Sequence, residues 1–351
     1  CEQVEDPALA KGIVKREVVE TLTPGTILQE HLLQAKKNNI LVALIPGSAD
    51  EFGLAALDMS TGEVEASRLG PEDLSAELGR LEPSEVLLSR SSEERLAQAS
   101  GVLPPDLPKT VREDWFFDAE LAREEIKRAY RLHSLDGLGF LQDEQVLVQA
   151  VGAILTYVRE IRPKGADHLR SPRISRTGSV MVLDDMTRRN LELVEALQPG
   201  AEATLLRVLD DTKTSMGGRR MRRWILRPLL QADAIWERQD AVAELHERDD
   251  LRRRFRESLG GVADLERLAG RVGTGRVGPR DLLGLGRSLR RVPELKEAGA
   301  ESEAALLRDL LDGMDLLQDL RTHLESALSR DAPASLQDGG VIRPGYDREL
   351  D

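Results

Sequence analysis

The stretch that most constrains this chain is "DEQVLVQAVGAILTYVREI", residues 143–161. Leu147, Val151, Ile154, Val158 and Ile161 form one stripe at helical spacing, and most of the remaining circumference is apolar too. Asp143 can cap the first turn. A helix that is apolar nearly all round needs partners on nearly every side, so it must be a buried central element. It also marks a change in pattern, because strand signals precede it and largely vanish after it.

Before it, "ILVALIP" (40–46) is a continuous apolar run of strand length, and "EFGLAALDM" (51–59) and "EVEASRL" (63–69) flank a Ser60, Thr61, Gly62 turn. Three antiparallel strands follow. "PEDLSAELGRL" (71–81) opens on Pro and aligns Leu74, Leu78 and Leu81, which predicts a helix, and "SEVLLS" (84–89) is strand-like again. The order then continues as "EERLAQAS" (helix), "TVREDWFF" (strand) and "AELAREEIKRAY" (helix). Three strands followed by alternating helices and strands predict a ribonuclease-H-like α/β layer.

From residue 143 onward the pattern is all-α. Helical periodicity runs through 143–161, 187–197, 203–210, 215–226, 232–247, 262–272, 279–292, 303–312 and 315–328, with "SVMVLD" (179–184) as an isolated extended stretch. "HSLDGLGF" (133–140) reads as the linker between the two patterns. With 351 residues the chain has room for two or three domains, and the expected division is 1–23, 24–132 and 133–351. It opens without Met or a basic-then-apolar leader, as a piece of a longer protein would.

Charge narrows the function classes. The net charge is −13, opposite to the basic footprint of a free-standing nucleic-acid binder. Residues 24–132 carry 12 Lys/Arg against 20 Asp/Glu, a net of −8, whereas 133–351 carry 34 against 37, a net of −3. The first region should repel DNA. The lone Cys1 excludes an internal disulfide and any Cys-based zinc site, and cytoplasm is the expected compartment. His31, His133, His168, His246 and His323 never fall at i, i+3 or i, i+4, so no metal site is expected. No apolar run approaches the roughly 18 residues of a membrane span.

Two motifs suggest enzymes. Gly273, Gly275 and Gly278 in "GRVGTGRVGPRDL" have the G-x-G-x-x-G spacing that cradles a pyrophosphate, but a dinucleotide site needs a strand before the glycines. Here Val262, Leu265, Leu268, Ala269 and Val272 recur at helical spacing, so the expectation is helix, glycine turn, helix. The Walker pattern is absent, since Gly is never followed by Lys. The second candidate is a metal-dependent nuclease on the ribonuclease-H-like layer, which needs clustered carboxylates. "ILVALIP" has none, Asp58 is explained by the turn, and Glu63 and Glu65 are expected on the solvated face.

The densest basic run is "TKTSMGGRRMRRWILRPLL" (212–230). On a helical wheel Gly217, Met221, Trp224 and Ile225 share one face and Arg219, Arg220, Arg222 and Arg223 the other, which predicts a core-packing helix with a cationic outside. Gly217 is expected to let a partner helix approach closely. "LRRRFRES" (251–258) and "GRSLRR" (286–291) are similar arginine faces, ordinarily solvated or ion-paired.

Here the chain resembles a known family. "LLRVLDDTKTSMGGRRMRRWILRPL" (205–229), after "LDDMTRRNLEL" (183–193) and before "ERQDAVAEL" (237–245) and "DLERLAGRVGTGRVGPRDL" (264–282), resembles the core of the MutS family of bacterial DNA mismatch-repair proteins. "CEQVEDPALAKGIVKREVVETLTPGT" (1–26) is similar to the end of its mismatch-binding domain, "LDMSTGE" (57–63) to its connector, and "DGGVIRPGYDRELD" (338–351) to the stretch where its lever climbs toward the clamp. The resemblance implies a mismatch-binding tail, a connector and a helical core with the start of the lever. It further implies ATP and Mg in a further ATPase domain, MutL docking through the connector, mismatched duplex DNA and a second copy as partners, and no catalysis by these residues themselves. The family's signature positions carried over are Asp184, Thr187, Asn190, Leu191, Glu192, Thr212, Thr214, Gly217, Arg219 and Arg220. From the residues alone these are helix caps, close-packing positions and ion-pair partners.

Overall fold

A computed structural model of the chain describes residues 2–3, 12–14, 16–18, 20–47, 51–98, 103–163, 166–176, 180–198, 200 and 203–349. The chain forms two compact units. The first comprises Cys1–Thr177, Val182–Asn190 and Gly270–Gly275; the second comprises the remaining residues.

The first unit is built on a six-stranded mixed sheet. Its strands are β1 (Ile40–Pro46), β2 (Phe52–Asp58), β3 (Glu63–Leu69), β4 (Glu85–Ser89), β5 (Lys109–Arg112) and β6 (Arg173–Ser175), in spatial order β5-β4-β1-β2-β3-β6. The β1–β2 and β2–β3 pairs are antiparallel; the other three are parallel. The hairpin turn falls at the expected place. Asp58, 1% exposed, accepts from the Ser60 amide (2.9 Å) and hydroxyl (2.6 Å) and from Asn38 Nδ2 (2.6 Å), while Gly62 takes φ +73°. Asp58 is therefore a turn residue. Glu65 departs from expectation, since its side chain is only 12% exposed and lies 3.6 Å from Arg80.

Both faces of this sheet are covered, which is why "ILVALI" can be apolar without alternation. Leu41, Ala43 and Ile45 point to one face, Ile40, Val42 and Leu44 to the other. The second face packs Leu74 and Leu78 of α1 (Pro71–Leu81) and Leu96 of α2 (Arg90–Gln98). The first packs α3 (Ala119–Tyr130) and α4 (Gln145–Ile161). Strand β5 is shorter than expected, because Asp114–Phe117 turns into a 3-10 coil that buries Phe116 and Phe117.

The apolar helix 143–161 is thus central, as its composition requires, but it belongs with the sheet. We expected it to head the all-helical region. Instead, α4 lies across β1, β2 and β3 and against α3, where a β-carbon on Gly152 would collide with Ala122. The supposed linker 133–140 is packed as well: Leu135 is buried in the same core, with Leu138 and Phe140 against it. The compact unit therefore runs past residue 132 to Thr177. Strand β6 carries no strand signal beyond its three residues and was not anticipated.

The second unit is helical. It contains α6 (Leu205–Leu209), α7 (Ser215–Leu226), α8 (Ala232–Glu247), α9 (Asp249–Gly260), α11 (Pro279–Ala298), α12 (Ala305–Asp312) and α13 (Gln318–Ala327). Helix α5 (Asp185–Asn190) lies in the first unit, and α10 (Leu265–Gly273) has residues in both. The arginine-rich 249–260 is a full helix absent from the expected set. Helix α11 continues through Pro293 to Ala298, beyond the expected end at 292. Helices α9 and α13 pack on α11, and α12 on α8. The apolar cluster among the described residues of this unit is small: Leu289, Leu324 and Leu328, with Leu282, Leu283, Leu285 and Val341 against it.

Candidate functional site

The glycine motif resolves first. The segment before Gly273 is helix α10, so the strand a dinucleotide fold requires is not there. The three glycines have three separate local reasons. A β-carbon on Gly273 would collide with His168; Gly275 turns with φ +68°; Gly278 caps α11, its amide donating to Asp281 Oδ2 at 3.0 Å. Of the three, Gly275 alone uses the left-handed region. Nor do the described residues of the sheet unit bring together three His, Cys, Asp or Glu side chains that could hold a metal ion.

The family-signature positions fall into two groups. Asp184, Thr187 and Asn190 lie in the first unit, where Asp184 Oδ1 accepts from the Thr187 amide at 2.6 Å and opens α5. That hydrogen bond holds the Asp184 carboxyl below its usual range. The cap orients Arg188, 6% exposed, which pairs with Asp185 (2.9 Å) and occupies the room left by Gly79 on α1. Leu191 and Glu192 lie in the second unit. Leu191 is 59% exposed, and Glu192, at φ +46°, turns the chain while its carbonyl accepts from the Leu205 amide at 2.9 Å.

The other five gather at the start of α7. Asp210 Oδ1 accepts from the Thr212 amide (3.1 Å) and hydroxyl (2.5 Å), tying the loop, and Thr214 caps the helix by accepting from the Gly217 amide at 3.0 Å. A β-carbon at Gly217 would lie 3.1 Å from Thr214 Oγ1 and 3.2 Å from Thr212 Cβ. The room Gly217 leaves is therefore filled by its own loop, where we expected a partner helix.

Arg219 overturns the expected wheel. It is 4% exposed, with Nη1 and Nη2 donating to the two oxygens of Asp264 at 2.6 and 2.8 Å and Nη2 also to Glu266 at 2.7 Å. Burial by itself lowers the pKa of this guanidinium, but the bonds from Asp264 and Glu266 outweigh it and hold Arg219 above its ordinary value. Burial likewise raises Asp264, and the bonds and charge of Arg219 outweigh that and hold it low. Bidentate pairing of this kind fixes orientation as well as charge. Trp224, expected in the core, is half-buried, its ring lying 3.9 Å from the Arg238 guanidinium and 5.6 Å from that of the exposed Arg220. One face of α7 thus carries a buried cation and another an aromatic between two cations, a division that periodicity assigned the wrong way round.

Asp210, Asp264 and Glu266 were missed. The available signal was Gly217–Gly218 directly before Arg219, small residues that let a long side chain turn inward, with "DLE" at 264–266 as the only acidic pair opening α10.

Such geometry defines a class: a segment whose buried polar groups orient helices. The comparisons give the family. Residues 1–31, 39–170 and 186–351 match the models for MutS domain I, MutS domain II and MutS domain III, in that order. The whole chain is 40% identical to the DNA mismatch repair protein MutS of Chlorobaculum parvum, 41% to that of Synechococcus sp. and 40% to that of Methanothrix thermoacetophila. These alignments cover 100% of this chain and 40%, 43% and 39% of those proteins. The chain belongs to the MutS family and spans about two-fifths of the length of these relatives. No helix among the described residues is long and apolar enough to cross a membrane.

Proposed function

We propose that this chain is the central scaffold of a MutS-type mismatch-recognition protein. On this reading the sheet unit is a ribonuclease-H-like connector used as a spacing and MutL-docking module, and the helical unit is the core and the start of the lever. The core passes the nucleotide state of an ATPase, working with ATP and Mg outside these residues, to the parts that grip mismatched DNA. The whole protein acts as a homodimer in the cytoplasm and becomes a sliding clamp. These residues carry no catalytic step of their own. The observation that carries the reading is the succession of MutS domains I, II and III along one chain, with identity near 40% throughout. The buried Arg219 network supports it, because a helix that relays force needs its orientation fixed by directional bonds.

The scaffold role predicts binding without discrimination. Telling a mismatch from a pair requires groups that reach base edges or wedge into the stack, and phosphate attraction alone cannot do it. A labelled duplex with and without one G·T mismatch, titrated at low and near-physiological salt, should show equal, weak, salt-sensitive binding. A several-fold preference for the mismatch persisting at the higher salt overturns the division of labour. So does saturable ATP binding with a Kd below roughly 100 μM, or about −5.5 kcal/mol, that greatly exceeds the affinity for inorganic pyrophosphate.

A further inference from the structure

Beyond the scaffold role, we propose that the helical unit contains a phosphate-binding cavity, recognising its ligand through phosphate groups alone. The cavity has a volume of about 460 Å³ and is lined by Lys213, Asp249, Arg252, Arg253, Arg256 and Glu257. Five of these sit at i, i+3, i+4, i+7 and i+8 along α9, so one whole face of that helix forms the floor. Lys213 comes from the loop that Asp210, Thr212 and Thr214 tie down, and Arg256 fastens the loop to the helix through the Asp211 carbonyl (3.0 Å) and carboxylate (2.7 Å).

Three observations give the cavity its chemistry. First, two of its cations are positioned in advance. Arg252 Nη1 donates to the carbonyls of Leu245 (2.7 Å) and His246 (3.1 Å), which fix the guanidinium without neutralising it, and Asp249 holds its other end. Second, Lys213 and Arg253 make no close ion pair with a described carboxylate, although Lys213 lies near enough to Asp211 to help hold its carboxyl low, so both cations keep donors for a ligand. Third, the lining has no aromatic or aliphatic side chain on which a base could stack, while guanidinium forks and an ammonium match phosphate oxygens. In a chain of net charge −13, four converging cations oppose the overall field. Asp249, Glu257 and the neighbouring Asp211 keep the local excess small, so binding is salt-sensitive and is strongest at low ionic strength.

The phosphate can belong to free polyphosphate or to a nucleic-acid backbone, and two titrations of the 351-residue chain separate the sources. Inorganic pyrophosphate is followed by calorimetry, and a labelled matched duplex by fluorescence anisotropy, both at low salt. The double variant Lys213→Ala/Arg253→Ala removes these two cations and leaves the Arg252–Asp249 and Arg256–Asp211 pairs in place. Arg330→Ala/Arg343→Ala removes equal charge elsewhere in the same unit. We expect the cavity variant to weaken binding about tenfold or more, since charge-assisted contacts to phosphate are lost, and the control to change it less than about twofold. A response in the pyrophosphate arm alone assigns a free anion; one in the duplex arm alone assigns the backbone. Amide exchange in the unmutated chain gives an independent check, because saturating pyrophosphate or duplex should slow exchange in 211–213 and 249–257. No saturable binding of either probe, equal losses in both double variants, or protection elsewhere but not in these segments overturns the proposal.

Discussion

The two units stay folded by different means. In the sheet unit two continuous apolar layers sandwich six strands, and side chains such as Leu41, Leu57, Val151 and Ile154 have no exposed surface at all. Its ion pairs, Arg80 with Glu65 and Arg162 with Glu20, sit beside these layers. In the helical unit the described apolar cluster is small, and a buried arginine clamped by two carboxylates does the orienting. Apolar burial is strong and non-directional, whereas a bidentate pair is weaker in net terms and directional. The first suits a rigid block, the second a set of levers whose angles matter.

Four substitutions test that contrast, with amide exchange reporting on each unit separately. The largest effect belongs to the apolar unit. Ile154→Ala removes a fully buried side chain from the α4 layer against the sheet and should destabilise that unit by about 3–5 kcal/mol. A cost under about 1 kcal/mol would mean that the layer collapses readily and that the contrast with the helical unit is false.

Arg219→Met comes second. It leaves the partly buried Asp264 and Glu266 without the guanidinium that bridges them, only Arg267 remaining near Asp264, and should cost the helical unit about 2–4 kcal/mol at neutral pH. Because the folded Asp264 pKa is depressed, its stabilising contribution is present above the unfolded value of about 3.9 and is lost as pH falls through the lower folded value. The unmutated and Arg219→Met proteins should therefore converge in stability below about pH 4. A difference that stays constant down to pH 3 would show that packing of the arginine stem, not its charge, is what counts.

Third, Trp224→Ala should cost about 1–2 kcal/mol, less than the 3–5 kcal/mol of a core aromatic, since it loses partial burial and two cation–π contacts. A loss equal to that of Ile154→Ala would restore Trp224 to a core and merge the two modes of stabilisation. Denaturant midpoints of the helical unit decide it.

What the sequence disclosed differs between the units for the same reason. Continuous runs and Pro or Gly punctuation placed β1, β3, α1, α3, α7 and α8 at their observed bounds, because apolar periodicity is local. Whether α4 served the sheet or the helices was not legible, since a uniformly apolar helix does not specify its partner. Strand β6 has three residues and exists only through its pairing with β3. The inward turn of Arg219 depends on carboxylates 45 and 47 residues away, and a helical wheel treats every arginine as surface. The family was legible from the succession of its segments, while the network that distinguishes its helical part was not.

The smallest expected effect concerns the loop that joins the signature positions. Thr214→Ala removes the acceptor for the Gly217 amide, one of the otherwise orphaned donors in the first turn of α7. Caps of this kind contribute about 1 kcal/mol. Thr214→Ser keeps the hydroxyl and should restore most of the loss. Gly217 is already crowded by Thr212 and Thr214, so the loop has a second constraint and should loosen without unfolding. We therefore expect faster amide exchange confined to about residues 210–218, with Arg219 still clamped and the sheet unit unchanged. If Thr214→Ala instead costs as much as Arg219→Met, the cap and the ion pair act as one cooperative device. The helical unit would then be oriented by a single network running from Asp210 to Glu266, and its contrast with the layered sheet would be sharper than the separate contacts indicate.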